Sequence, residues 1–518
     1  MMRKPEDEPS RSHSHELDPR VGSSHSTRVP ITEAEDPEKA TGLESQPEDD
    51  KFLVSWDGND DPMNPKNKKN ATKWFIVVIL ALGSFCVTCA SSLYTTTYQG
   101  MSRDFGSSRI VNTLGLSTFV FGLGFAPMVL APLSEFYGRR LIYLLAFGGF
   151  FIFLIPCAVA QNIETMLIVR FFDGLCGSAF LSVAGGTVGD MFTKDTLQAP
   201  MLIYSASPFL GPATAPVFGG FINSTVNWRW SYYVLLIFAG LEWVMIALFV
   251  PETYMPVVLR RKAQKKRKET GDERWKAPIE VSDRSVLWTV MHSLYRPFML
   301  LFFEPMCFNL CLFSAILLGI LYLFFGAFPL VFGRVYGFNL WQTGLVFLGI
   351  FVGMVSAMAT DPIWHKNYKR LLDKRERETG ERKSEPEYRL PSSIFGAWFC
   401  VLGLFMFAWT IYPGVHWIVP IIGTSFFGFG IILVYTSVFT FLVEAYPLYA
   451  ASALAANSFA RSSFAAAFPL FGVQMYEKLN FHWATTLLAF LTLALAPFPY
   501  VFWIYGKRLR QKSKYGSA

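Results

Sequence analysis

The sequence predicts an all-α membrane protein with twelve spanning helices in two halves of six, on three observations. Hydrophobic residues make up 52% of the 518, aromatic residues 16% and charged residues only 16%, too apolar for the surface of a water-soluble chain. Windows nearly free of charge recur along the chain, each about 20 residues long, enough to cross a hydrocarbon layer of roughly 30 Å. Long charged segments fall before the first window, between the sixth and seventh and between the eighth and ninth, and the middle one divides the chain into halves.

The predicted spans are 74–96, 110–131, 141–160, 164–191, 198–222, 230–250, 299–326, 340–360, 392–412, 415–441, 450–475 and 482–505. The short loop after the second contains Gly138, which permits a sharp turn, and an acid with two bases, Glu135, Arg139 and Arg140. The fourth admits Arg170 and Asp173, three apart and able to pair on one helix face. The fifth spaces Ser207, Gly211, Ala215 and Gly219 four apart, a face that another backbone can approach closely, with Pro212 and Pro216 adding kinks. Glu242 lies in the sixth, Glu304-Pro305 near the start of the seventh, Glu444 at the inner end of the tenth and Arg461 in the eleventh.

Lys and Arg resist translocation and so mark the cytoplasmic side. With the N-terminus cytoplasmic, the outer loops hold only Arg103, Arg109, Arg229, Arg334 and Lys478. Arg139-Arg140 and the runs Arg260 to Lys268, Lys366 to Lys383 and Lys507 to Lys514 fall inside, and both termini are predicted cytoplasmic. The net charge of +7 is then a topology signal, and no aromatic-basic surface suggests nucleic acid. The expected organisation is a disordered cytoplasmic tail over 1–73, a six-helix half over 74–251, a central cytoplasmic loop over 252–297, a second half over 298–506 and a short tail over 507–518. Serines and acids dominate residues 1–50, which lack the apolar residues of a packed core. All seven cysteines fall inside predicted spans, so neither disulfides nor a metal site is expected. The sequence contains no phosphate loop, nucleophile elbow or metal cluster, so neither catalysis nor a cofactor is expected.

Several motifs resemble those of the major facilitator superfamily. Ala131-Pro132-Leu133-Ser134-Glu135-Phe136-Tyr137-Gly138-Arg139-Arg140 resembles its loop motif between the second and third helices, departing at Ala131 and Phe136. The resemblance implies a conformational latch built from Glu135, Gly138, Arg139 and Arg140. Gly211-Pro212-Ala213-Thr214-Ala215-Pro216-Val217-Phe218-Gly219-Gly220 resembles the fifth-helix motif of its antiporters. Arg170-Phe171-Phe172-Asp173-Gly174 resembles its fourth-helix arginine motif, which is linked to proton transfer, with Asp173 as the departure. More specifically, Trp56 with Asp61-Pro62-Met63-Asn64-Pro65, Asn227-Trp228-Arg229-Trp230, Pro251-Glu252-Thr253-Tyr254 and Tyr446-Pro447-Leu448-Tyr449 resemble fungal drug:proton antiporters of the twelve-span group.

That resemblance implies proton-coupled efflux of small amphipathic compounds, with an importer or facilitator as the rival and a non-transporting receptor as a remoter one. Helices 1, 4, 7 and 10 line the cavity in this superfamily. Glu304, expected about two turns into the seventh helix, Asp173 with Arg170, and Glu444 are therefore the proton-coupling candidates, and Tyr94, Asn309, Tyr435, Asn457 and Arg461 the candidates for contact with cargo. The expected partners are a small-molecule substrate, protons and the lipid bilayer, the expected state a monomer, and the expected location the plasma membrane, with the vacuolar membrane as alternative.

Overall fold

The computed structural model describes residues 52–58, 60–193, 196–281, 286–380 and 384–513. The expectation of a disordered tail over residues 1–51 lies outside them. Twelve helical segments run α1 (Asn70–Phe105), α2 (Arg109–Phe125 continued by Pro127–Tyr137), α3 (Arg139–Val159), α4 (Ile163–Met191), α5 (Gln198–Thr225), α6 (Arg229–Phe249), α7 (Pro305–Tyr336), α8 (Leu340–Thr379), α9 (Pro391–Thr410), α10 (Ile418–Ala445), α11 (Ala450–Leu479) and α12 (Phe481–Gln511). Among the described residues, nine of these are long and apolar enough to cross a membrane, and α2 makes ten when its two pieces, bent by 41°, count as one. The other two, α5 and α11, have 28 and 30 residues. Length suffices there. Prolines and small polar residues dilute their hydropathy, because they pack against other backbones.

The same neighbour order occurs twice. In the first half α1 packs on α5, α2 on α4, and α3 on α4 and α6. In the second half α7 packs on α11, α8 on α10, and α9 on α10 and α12. The halves meet along α2 with α11 and α5 with α8, and adding six to each number turns one pair into the other. A repeat related by an axis along the membrane normal has this property. With an even number of spans both described ends lie at one face, termed here the terminal face.

Two expectations about the flanking segments are corrected. Residues 52–58 and 60–69, expected to be disordered, are structured and dock on a helix of the central segment, Met255–Thr270. Val54 donates its N–H to the Lys276 carbonyl and Lys276 donates to that of Phe52, both at 2.9 Å, while Val54 packs against Ala263 and Ala277. Lys262 is buried and reaches Asp61 at 2.5 Å and Asp57 at 2.8 Å. Asp61 also accepts the N–H of Asp57 and of Met63. The central segment 252–297 is likewise helical over Met255–Thr270 and Pro278–Val281, and it runs into a third helix, Val286–Phe303, packed on α2 and α11. A single extended residue, Glu304 (φ −109°, ψ 102°), separates that helix from α7, which starts at Pro305 and not at 299.

The Asp57 N–H and the Lys262 ammonium hold the Asp61 carboxyl down to about 2. A depressed carboxyl stabilises the docked state fully above its ordinary value of 3.8 and loses that contribution as pH falls towards 2. Asp61→Asn leaves Lys262 buried without its closest anion, at a cost of about 2 kcal/mol. Limited proteolysis at neutral pH should then cut between residues 52 and 67 markedly faster than in wild type, while the twelve-helix body stays resistant.

Candidate functional site

The seam between the halves is shut at the face away from the termini. A Cβ on Gly344 of α8 would collide with the Pro216 carbonyl of α5, one on Gly220 would lie 3.1 Å from the Leu340 carbonyl, and Phe221 stacks on Trp341 at 5.6 Å. Backbone meets backbone there. The fifth-helix motif therefore divides by face. Gly211 and Gly219 press on Thr88 and Thr96 of α1, inside the first half, while Pro216 and Gly220 cross to the second. Pro208, Pro212 and Pro216 interrupt the α5 ladder, and the Tyr204 carbonyl left open by Pro208 accepts the Ser207 hydroxyl at 2.8 Å. Midway along the seam, Ser91 of α1 bonds Tyr322 of α7 at 3.0 Å and Ser117 of α2 donates to the Ala466 carbonyl of α11 at 2.6 Å. At the terminal face a cavity of about 630 Å³ lies between Trp74, Phe192 and Leu202 of the first half and Met358, Ala359 and Pro362 of the second.

Two arginines lie at membrane depth, and their surroundings differ. Arg170 is fully buried, sandwiched between the rings of Tyr94 at 4.5 Å and Phe119 at 4.1 Å, and its Nη1 is 3.5 Å from Asp173 Oδ2. Asp173 Oδ1 and Arg170 Nη2 have no hydrogen-bond partner, so the pair is loosely held. Arg461 of α11 is half-buried, its guanidinium 4.8 Å from the Phe439 ring, 5.4 Å from Tyr435 and 5.8 Å from Phe209. Its Nε is buried without a partner, and among the described residues no carboxylate pairs with it. Ring contacts contribute about 2 kcal/mol when desolvated, less than the several kcal/mol needed to take a cation out of water. Phe209 belongs to α5 and stacks on Tyr435 of α10 at 4.8 Å, so this cage bridges the halves. One turn back on α11, Asn457 is fully buried and donates Nδ2 to Ser314 at 2.7 Å, and its Oδ1 is unpaired. Tyr435 donates to the Ser314 carbonyl at 3.1 Å.

The loop motif forms a bonded junction, though with different acids from the one expected. Gly138 adopts φ +97°, which any side chain would strain, and a Cβ there would strike the Glu252 carboxylate. Glu252 is buried and accepts the N–H groups of Arg139 at 2.9 Å and Arg140 at 3.2 Å, an anion on the first turn of α3. Arg139 also lies 3.4 Å from Asp190 of α4, 2.5 Å from Ser134 and over the Tyr254 ring, and Arg140 donates to the Ala247 carbonyl at 2.8 Å. Glu135 is exposed and does not take part in these contacts, which corrects its assignment. It lies near the end of α2, where the turn at Gly138 aims the basic pair inward and leaves Glu135 outside.

Other candidates are also relocated. Glu304 is the N-cap residue of α7, bonded by the Tyr446 hydroxyl at 3.3 Å, and does not lie two turns into the helix. The proline after it starts the helix where a kink was expected. Glu444 pairs with Arg389 at 2.7 Å near the terminal face. Asn309 donates back to the Pro305 carbonyl in the first turn of α7, away from the cage, and Tyr94 packs on Arg170 instead of lining a space. Tyr435, Asn457 and Arg461 do converge. Sequence reasoning missed Asp190, Phe209 and Phe439 and gave Glu252 no role, although Glu252 stood in a motif already noted.

The chain matches the description Major Facilitator Superfamily over residues 80–469. It is 55% identical to "Efflux pump atB" of Aspergillus terreus over 468 residues, 90% of each protein. It is 40% identical to "Efflux pump FUBT" of Fusarium oxysporum, covering 88% of this chain and 77% of that one. Identity is also 40% to "Probable drug/proton antiporter YHK8" of Saccharomyces cerevisiae, with 88% and 89% covered. Among solved structures, the human organic anion transporter MFSD10 aligns with a TM-score of 0.59 at 16% identity over 82% of this chain and 99% of that one. A partially occluded inward open form of the xylose transporter XylE from E. coli aligns at 0.57 and 17% identity, covering 83% and 99%.

If the α3 junction works as a latch, Glu252→Ala should reduce transport at least roughly tenfold, since unpairing a charged hydrogen-bond cluster costs on the order of 1–3 kcal/mol. Glu135→Ala should leave the rate near wild type. Gly344→Val, which overpacks the α5/α8 crossing by roughly 1–3 kcal/mol, should stop transport while the purified protein stays folded. Flux and thermal melting of the three variants in vesicles check these outcomes.

Proposed function

The chain belongs to the major facilitator superfamily, and from that membership we propose that it is a secondary active efflux transporter, exchanging protons for small amphipathic compounds across the membrane. The observation that carries the reading is the seam, sealed at one face and open into a cavity at the other, with a charged pair buried beside it. Relatives named as efflux pumps and as a drug/proton antiporter support the direction and the coupling. The multi-pass transporter acts at the plasma membrane as a monomer in lipid, with the terminal face cytoplasmic. The positive-inside count supports that orientation, and the open cavity is then where cargo is loaded.

Proton coupling falls to Asp173 with Arg170. A fully buried carboxylate with one long contact and one free oxygen can gain and lose a proton with little rearrangement, and doing so releases or holds Arg170 against α1 and α2. Glu304 stands before the first turn of α7 with its carboxylate bonded to Tyr446, and Glu444 is an ion-pair partner of Arg389.

In vesicles with an imposed pH gradient, wild-type protein should concentrate cargo, and a protonophore should abolish this. Asp173→Asn should still exchange cargo between the two sides but fail to concentrate it. Glu304→Gln should concentrate cargo like wild type. Uphill transport by Asp173→Asn would remove the pair from the coupling step.

A further inference from the structure

Of the two arginines at membrane depth, one is answered by a carboxylate in its own helix and the other is not. Asp173 lies beside Arg170. Arg461 lies over the rings of Phe209, Tyr435 and Phe439, and among the described residues no carboxylate pairs with it. Buried charges at this depth pair with one another or mark a substrate path. Arg461 does not face lipid, because the rings around it, Phe209 and Tyr435, are themselves buried at the seam. Its guanidinium presents planar donors suited to a carboxylate or sulfonate, and its Nε has no acceptor.

We infer that Arg461 is the cargo-binding cation of this transporter and that the cargo is an organic anion with a flat apolar body. The anionic group binds the guanidinium, and the body inserts between Phe209 and the Tyr435–Phe439 pair, whose parallel rings lie 5.9 Å apart. Because Phe209 comes from the first half and the other residues from the second, cargo between them replaces a contact that joins the halves and must loosen when they rock. The inference deepens the efflux reading and rests on it for the direction of transport, though binding at Arg461 can be tested by itself. It has an electrical consequence. One anion leaving for one proton entering moves two positive charges inward, so a potential negative inside drives export, whereas exchange of a monovalent cation for a proton is electroneutral.

The test uses the purified full chain and two probes of like shape and opposite permanent charge, 1-naphthalenesulfonate and (1-naphthylmethyl)trimethylammonium. Titration calorimetry should show the sulfonate bound at least roughly tenfold more tightly than the cation; Arg461→Lys should weaken the sulfonate by about tenfold and Arg461→Gln by about a hundredfold, with unchanged melting temperature. Arg461→Lys keeps the comparison open if the glutamine variant does not fold. Equal binding of the two probes to wild type, or full sulfonate affinity in a folded Arg461 variant, overturns the inference. Flux in vesicles separates it from the efflux reading. Uphill transport of the cation alone leaves efflux standing and removes the anion site. Arg461-dependent sulfonate binding without uphill transport keeps the site and removes efflux. Both readings gain if sulfonate export accelerates under an inside-negative potential.

Discussion

Hydrocarbon offers no water to a charge, and most of what is specific to this molecule follows from how it meets that constraint. Each internal cation is answered differently. Arg139 is answered by Asp190 and by the Ser134 hydroxyl, Arg170 by Asp173 and two rings, Arg461 by rings alone. Arg139 is tied to the end of a helix, Arg170 is held to its carboxylate by one long contact, and among the described residues Arg461 meets no carboxylate.

A second constraint shapes the backbone. Where the two halves meet they cannot rely on a hydrophobic drive, since lipid tails are as apolar as leucine. Close approach does the work instead, and the residues that allow it are small: Gly220 and Gly344 at the α5/α8 crossing, Ser117 against Ala466 at α2/α11. The repeat also extends to the terminal face with its charges exchanged. In the first half a carboxylate following α6, Glu252, engages the start of α3. In the second, a cation at the end of α12, Arg510, engages Glu387 just before α9, at 2.8 and 2.9 Å.

Legibility in the sequence followed this division. The spans could be read because apolar length is a property of consecutive residues, and the Arg170–Asp173 pair because three residues on a helix fix a shared face. The four-spaced stripe of α5 was legible as a close-packing face, but not which helix it faced: Gly211 and Gly219 meet α1, and the neighbouring Gly220 meets α8. Contacts between distant segments left little local trace. Glu252 is 113 residues from Arg139, and Glu135, four residues from Arg139, was the nearer guess. Phe209 looked like one of 50 phenylalanines until the fold set it beside Arg461. Glu304 misled because a proline after a carboxylate reads as a kink inside a helix, when here it marks the first residue of one.

The closest approach of α5 and α8 is made by main-chain atoms and glycines, which carry no chemistry that a cargo could recognise, while the cage around Arg461 is made of side chains. The crossing and the ring cage share α5 but use different residues of it, Gly220 for the one and Phe209 for the other. Under the proposed anion site, substitutions at Phe209, Tyr435 or Phe439 would retune what is carried and leave the glycine crossing of α5 and α8 untouched. A lineage built on that proposed site would change its cargo by a few point mutations while keeping the glycine crossing.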